Sequence, residues 1–238
     1  MKKGFTLAEL LITLGLIGIV AALTLPTVVN YFRAKELEAR FKKADNIIQQ
    51  ALQKTVTECG YTSITDFNIR GGRVTNQNFA ELQHEVDGLN EIWLKQFNSK
   101  KPVNGNVLYA KSIWIYDILG VRLASGYGDY WAYGTPYLLT DGMLISKMSA
   151  YNGGTNHPAE IRFTFDTNGP YKGPNRYGHD VFIYNSLKGY GNECNPVQGS
   201  SERNKGCYQW AHANKNPIKP NKPYWDILFK PASYWQNN

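Results

Sequence analysis

A carboxylate stands where a membrane has little use for one. Glu9 lies four residues into the apolar run Phe5–Leu25, which is otherwise broken only by Thr6, Thr13, Thr24 and two glycines. A charge in such a run costs on the order of 2.5–3.5 kcal/mol on insertion scales. Glu9 therefore either reaches back to the headgroups or meets a positive partner inside the lipid or inside a protein bundle. A second chemical candidate is the stretch Asp166-Thr167-Asn168-Gly169-Pro170, continuing through Gly173-Pro174-Asn175 to Gly178-His179-Asp180. Oxygen-bearing side chains at alternate positions suit a calcium loop, since calcium takes six to eight oxygens; Asp166, Asn168 and Asp180 would be its ligands. The same residues equally suit a rigid turn in which Asp166 and Asn168 bond their own backbone. No glutamate follows at the distance an EF-hand needs. Cys194 and Cys207 lie 13 apart in a Gly/Asn/Ser-rich stretch, consistent with an oxidised loop in an exported domain, and a bond there would contribute roughly 3 kcal/mol. Pairing of Cys59 with either remains open. The four histidines, His84, His157, His179 and His212, stand in no metal or triad spacing, and no nucleophile elbow, phosphate loop or dinucleotide fingerprint occurs. No catalysis is expected.

The elements that must position these residues are legible in outline. Two lysines, Lys2 and Lys3, precede the apolar run and predict that the N-terminus stays cytoplasmic while everything after Pro26 is exported. The run itself spans roughly 30 Å as a helix, the thickness of the hydrocarbon core. Gly15 and Gly18 are either tolerated in lipid or allow close helix approach. Pro26 removes a backbone donor and predicts a kink or a melted turn. Beyond it Leu37, Phe41, Ala44, Ile48, Leu52 and Thr55 recur at spacings of three and four, with Arg33, Lys35, Glu36, Arg40, Lys42, Lys43 and Lys54 opposite. This stem should stop near Cys59-Gly60 at a left-handed cap. A second helix is expected from about 78 to 98, with Asn78 and Glu81 as a capping box and His84 at the surface. Strands are expected at Val107–Ile118, in a hairpin across Asp141-Gly142 with a primed turn, at Glu160–Asp166 and at Asp180–Tyr184. The fold class is α+β: a long N-terminal helix, half transmembrane and half amphipathic, on an antiparallel four-stranded meander.

Composition agrees with an ordinary folded head. Of 238 residues 42% are hydrophobic and 19% charged, which excludes disorder, and a net charge of +7 is too mild to imply nucleic acid by itself. Four segments follow: a basic start at 1–4, a membrane helix at 5–25, a stem at 26–59, and an exported head at 60–238.

Lys3-Gly4-Phe5-Thr6-Leu7-Ala8-Glu9-Leu10-Leu11 resembles the processing signature of type IV prepilins and type II secretion pseudopilins. The resemblance implies that a prepilin peptidase cuts between Gly4 and Phe5 and methylates the new Phe5 amine. It implies that Glu9 pairs with that amine in an adjacent copy, and that the helix loosens around Pro26 in assembled filaments. It supports the Cys194–Cys207 pairing, because pilins commonly close a C-terminal loop in this way. It also brings in a nearby calcium loop used by major pseudopilins, although their denser acidic C-terminal ligands are missing here. The implied partners are sister or related subunits, the peptidase, the inner-membrane assembly machinery and, before assembly, the bilayer. The implied destination is a periplasmic or cell-surface filament.

The tail carries Trp210, Tyr224, Trp225, Phe229, Tyr234 and Trp235 among prolines and lysines. It reads as a loop strapped over the sheet by aromatic anchors. The alternative is an exposed surface for sugars or nucleic-acid bases, which would make the chain an adhesive or DNA-capturing minor pilin. A membrane-tethered exported enzyme that never polymerises is the third reading.

Overall fold

The computed structural model describes residues 4, 6–66, 79–97, 101–104, 108, 111–123, 136–151, 160–186, 194 and 207–230. Helix α1, Leu7–Glu58, is a continuous 52-residue rod. It passes through Pro26 without the melted turn expected there. Proline removes one main-chain donor, and the long helix on either side holds the remaining ladder in register. The far end closes as anticipated: Gly60 takes φ +76°, while Gly60 N–H donates to the Thr57 carbonyl at 3.0 Å and Tyr61 N–H to the Val56 carbonyl at 3.0 Å. That pair of bonds is a Schellman cap, and it needs a residue that tolerates positive φ.

The second half of α1 buries the expected stripe, with Leu37, Phe41, Ala44, Ile48, Leu52 and Thr55 all inside the head. Phe41 is the hub. Its ring lies 4.7 Å from Phe182, 5.3 Å from Trp225 and 6.0 Å from Tyr208, so sheet and C-terminal segment meet on one stem residue. Helix α2, Phe79–Lys95, adds Val86, Leu89 and Trp93 to the same core; His84 is exposed, and Asn78 lies outside the described residues.

Among the described residues the antiparallel sheet has six strands: β1 Lys101–Pro102, β2 Pro136–Leu138, β3 Leu144–Ser146, β4 Ser149–Tyr151, β5 Glu160–Asp166 and β6 Val181–Asn185. The count exceeds the expected four for two reasons. Short β1 adds an edge to β2, and β4 lies beyond the expected hairpin, which ended at Ser146. β3 pairs β5 through Ile145 and Phe165, whereas β4 pairs it through Ser149 and Arg162, a register change of one residue. That shift is a bulge, and side chains fill its broken ladder. Asn90 on α2 accepts Met148 N–H at 2.7 Å and donates to the Met148 carbonyl at 2.8 Å; Ser146 Oγ accepts Thr164 N–H at 2.8 Å. With β3 and β4 read as one bent strand, β2 to β6 form the expected meander.

Two local expectations are corrected. The hairpin does not use a two-residue primed turn: Leu139 N–H pairs with the Met143 carbonyl at 2.8 Å, leaving three residues between them, with Gly142 at φ +90°. Asp141 then faces the stem and pairs with Lys43 at 2.9 Å. Among its described residues, Val107–Ile118 contains no strand. Leu108 and Ile115 are fully buried there, packed with Leu144, Tyr177 and Val181 as a cover over the sheet face that points away from α1. Their apolar run reflects burial, and strand-like pairing among the described residues here is confined to isolated bridges from Tyr116 to Arg122 and Arg176. A buried coil and a buried strand share one composition.

Candidate functional site

The N-terminal end of α1 is built around Glu9. Thr6 is its N-cap, at φ −77° and ψ 152°. Thr6 main-chain N–H donates to Glu9 Oε2 at 2.8 Å, Thr6 Oγ1–H donates to the same oxygen at 2.8 Å, and Glu9 N–H donates back to Thr6 Oγ1 at 3.2 Å. This is a reciprocal capping box that satisfies two of the donors a helix start leaves open. Thr6 and Glu9 three apart before an apolar run are its sequence mark. The expectation for Glu9 looked outward, to headgroups or another copy, and missed this near partner. Gly4 is exposed and extends from the cap; Phe5 lies outside the described residues. Behind the cap, Leu7 through Leu25 forms an apolar rod that touches nothing in its own head: Leu7 is 76% exposed and Ile12 70%. The helix is long and apolar enough to cross a membrane.

The loop between β5 and β6 carries Asp166, Asn168 and Asp180, and the two aspartates turn oxygens to the chain. Asp166 Oδ1 accepts Asn168 N–H at 3.1 Å and Gly169 N–H at 2.9 Å; Asp180 Oδ2 accepts Asn175 N–H at 2.8 Å and Oδ1 accepts Arg176 N–H at 2.7 Å. Asn168 donates its amide to the Gly173 carbonyl at 2.8 Å, and Asn175 donates to the Pro170 carbonyl at 2.9 Å. Three of the four carboxylate oxygens are thus engaged by main-chain donors. Burial, reinforced by neighbouring Asp166, pushes the Asp180 carboxyl well above its usual range. Among the described residues no group of three Asp, Glu, His or Cys side chains is placed to hold a metal. These main-chain bonds suit a rigid turn.

The turn is also a packing device. A Cβ at Gly169 would collide with the Gly142 carbonyl, so the hairpin loop and this loop abut backbone to backbone. Arg176 clamps the outer cover by donating from Nε to the Ile118 carbonyl at 3.0 Å, and from Nη2 to the same oxygen. His179 is fully buried, and burial followed by nearby Arg176 pushes its imidazole down to about 3. It is therefore neutral, with Nε2 2.9 Å from the Leu228 carbonyl as its donor contact.

Cys194 and Cys207 form the anticipated disulfide, and Cys59 is free at the stem cap. Cys207 leads into the short helix α3, Tyr208–His212, which grips the stem polar face. Tyr208 Oη–H donates to Asp45 at 2.6 Å, Gln49 Nε2 donates to Tyr208 Oη at 2.7 Å, and His212 Nδ1 lies 2.8 Å from Asp45. The sequence gives no local hint of this clamp. Its partners are more than 150 residues apart.

A 3₁₀ turn, Tyr224–Ile227, follows, with Tyr224 and Trp225 fully inside. The tail is a strap with aromatic anchors over this stretch, and Trp225 offers no face to a base or a sugar. Tyr234 and Trp235 lie outside the described residues.

No curated protein and no solved structure matches the chain. Residues 1–25 match the prokaryotic N-terminal methylation motif, on the same cap and apolar rod described above. Together with a long helix seated on an antiparallel sheet, a pilin-like α+β arrangement, this gives the chain the N-terminal signature of type IV pilins and pseudopilins.

Proposed function

We propose that this protein is a structural subunit of a type IV pilus or type II secretion filament, cut between Gly4 and Phe5, methylated on the new Phe5 amine, and polymerised through α1. One observation carries the reading: the methylation motif at 1–25 sits on an apolar rod that covers none of the chain's own head. Lipid covers such a surface before assembly. Sister helices bundled in a filament core cover it afterwards, with Gly15 and Gly18 permitting close approach.

Glu9 sets axial register in this scheme. Its carboxylate rests on Thr6 in the single chain and transfers to the neighbour's Phe5 amine on docking, exchanging two hydrogen bonds for an ion pair in a low dielectric. Pro26 is the point at which the helix can loosen as the bundle forms. The head faces outward on the exported side and carries whatever specificity the filament has.

Intact mass spectrometry of the membrane-fraction protein tests the reading. The expected product lacks Met1–Gly4 and carries one extra methyl group, and it co-sediments with sheared filaments. An uncut, unmethylated chain in cells that possess the peptidase, remaining solitary in native membrane, would overturn it.

A further inference from the structure

A cavity of about 410 Å³ opens between the stem and the β5–β6 loop, lined by Arg33, Glu36, Leu37, Arg40, Lys172 and Phe229 among others. Arg40 pairs with Glu36 at 2.5 Å, while Arg33 and Lys172 are exposed cations, so the wall keeps two positive charges in surplus. Asn168 also lines it, and Asn168 Oδ1 is a buried acceptor with no hydrogen-bond partner. Leu37 and Phe229 give the remaining wall an apolar character.

The cavity's height along α1 identifies its occupant. Exposed apolar side chains continue past Leu25 through Val28, Val29, Tyr31 and Phe32, and stem burial begins at Ala34. From Leu7 to Phe32 the helix rises about 38 Å, against roughly 30 Å of hydrocarbon and 40–45 Å with the headgroup layers. Tyr31 and Phe32 therefore stand at the outer interface, where aromatic belts sit. Arg33 is the next residue, and Arg40 lies roughly 10 Å higher.

We propose that this cavity seats the headgroup of an anionic phospholipid, such as phosphatidylglycerol, while the subunit waits in the bilayer. Arg33 and Lys172 hold the phosphate, and the glycerol backbone leaves along Phe229 and Leu37 toward the acyl layer. The bound lipid fixes head height and rotation about α1, presenting Glu9 at one depth to an incoming neighbour. The inference rests on the membrane-inserted subunit reading above, but its readout is lipid retention, which is independent of processing and assembly.

The full-length chain in detergent is titrated with phosphatidylglycerol and with phosphatidylcholine, and retained lipid is counted by native mass spectrometry. One phosphatidylglycerol per chain is expected in preference to phosphatidylcholine. Arg33→Gln and Lys172→Gln should each weaken it about fivefold, the usual contribution of one cation near an anionic surface. Lys54→Gln, higher on the exposed stem face, should change nothing. Soluble glycerol phosphate should fail to displace the lipid. Equal retention by the Arg33→Gln/Lys172→Gln double variant, or an equal loss in Lys54→Gln, overturns the proposal. Displacement by glycerol phosphate assigns the cavity to a free phosphate and also overturns it. A double variant that retains lipid normally yet fails to enter filaments gives the pocket to a sister subunit's acidic side chain instead. An uncut N-terminus with intact lipid retention counts against the filament reading and leaves the headgroup site standing.

Discussion

Glu9 Oε2 lies 2.8 Å from both the main-chain nitrogen and the hydroxyl of Thr6, so the acid that the lipid disfavours is held by the first turn of its own helix. The proposed function gives this one carboxylate two roles in turn. In the single chain it caps a helix, and in the proposed filament it neutralises an amine.

Glu9→Ala should leave cutting after Gly4 intact and impair incorporation. An amine left unpaired in lipid costs several kcal/mol, so the filament fraction should fall by roughly two orders of magnitude. Thr6→Val removes only the cap, at about 1 kcal/mol, and should reduce incorporation far less. Mass spectrometry and immunoblots of sheared filaments measure the two steps separately. Normal incorporation of Glu9→Ala would remove the charge-transfer account.

Trp225→Ala should destabilise the head by about 3–5 kcal/mol, since a fully buried indole beside Phe41 would leave a cavity where stem, sheet and strap meet. Chemical denaturation of the full chain in mild detergent gives the value. A loss below 1 kcal/mol would show that the strap is not part of the cooperative core.

Reduction, or Cys194→Ser, should lower stability by roughly 3 kcal/mol through loss of the 13-residue closure. Cys59→Ser should not reproduce this effect, because Cys59 is free. Denaturant midpoints with and without reductant, compared across both variants, read the difference.

The pH dependence has a definite sign. His179 has a folded value pushed to about 3, below its ordinary 6.5. Between these values the unfolded chain binds the extra proton, so His179 stability is fully present above pH 6.5 and is lost as pH falls toward 3, by about 1.4 kcal/mol per pH unit. Asp180, shifted upward by burial, acts in the opposite sense: its folded state holds a proton that the unfolded state releases, so its contribution declines as pH rises above the ordinary carboxylate range. Comparing the native chain with His179→Asn across pH 3 to 7 isolates the histidine. The variant should be weaker at neutral pH and have a flatter acid limb; parallel curves would show that His179 is not what titrates.

Calcium and a chelator should leave the melting temperature of the full chain unchanged, because Asp166 and Asp180 spend their oxygens on main-chain donors. A rise with calcium that Asp166→Asn abolishes would return the loop to metal binding.

The chain alone determined much of what depends on short spacing. A cation pair, a glycine, an apolar run and Glu9 announce the long apolar N-terminal helix that carries the methylation motif. The stripe from Leu37 to Thr55 names the buried stem face, and Gly60 names its stop, because periodicity and left-handed caps are local properties. The residues of β5 were legible end to end for the same reason. Tertiary structure decided what depends on partners distant in sequence. Only the fold shows that Leu108 and Ile115 cover the sheet instead of joining it, since an apolar run records burial and does not by itself specify strand pairing. Only the fold splits a strand at Met148, because the donor and acceptor that heal the break come from Asn90 on another helix. The calcium-like loop is the sharpest case: its oxygens are spaced for a cation, and whether they face a cation or the chain's own N–H groups depends on how two distant strands close around them.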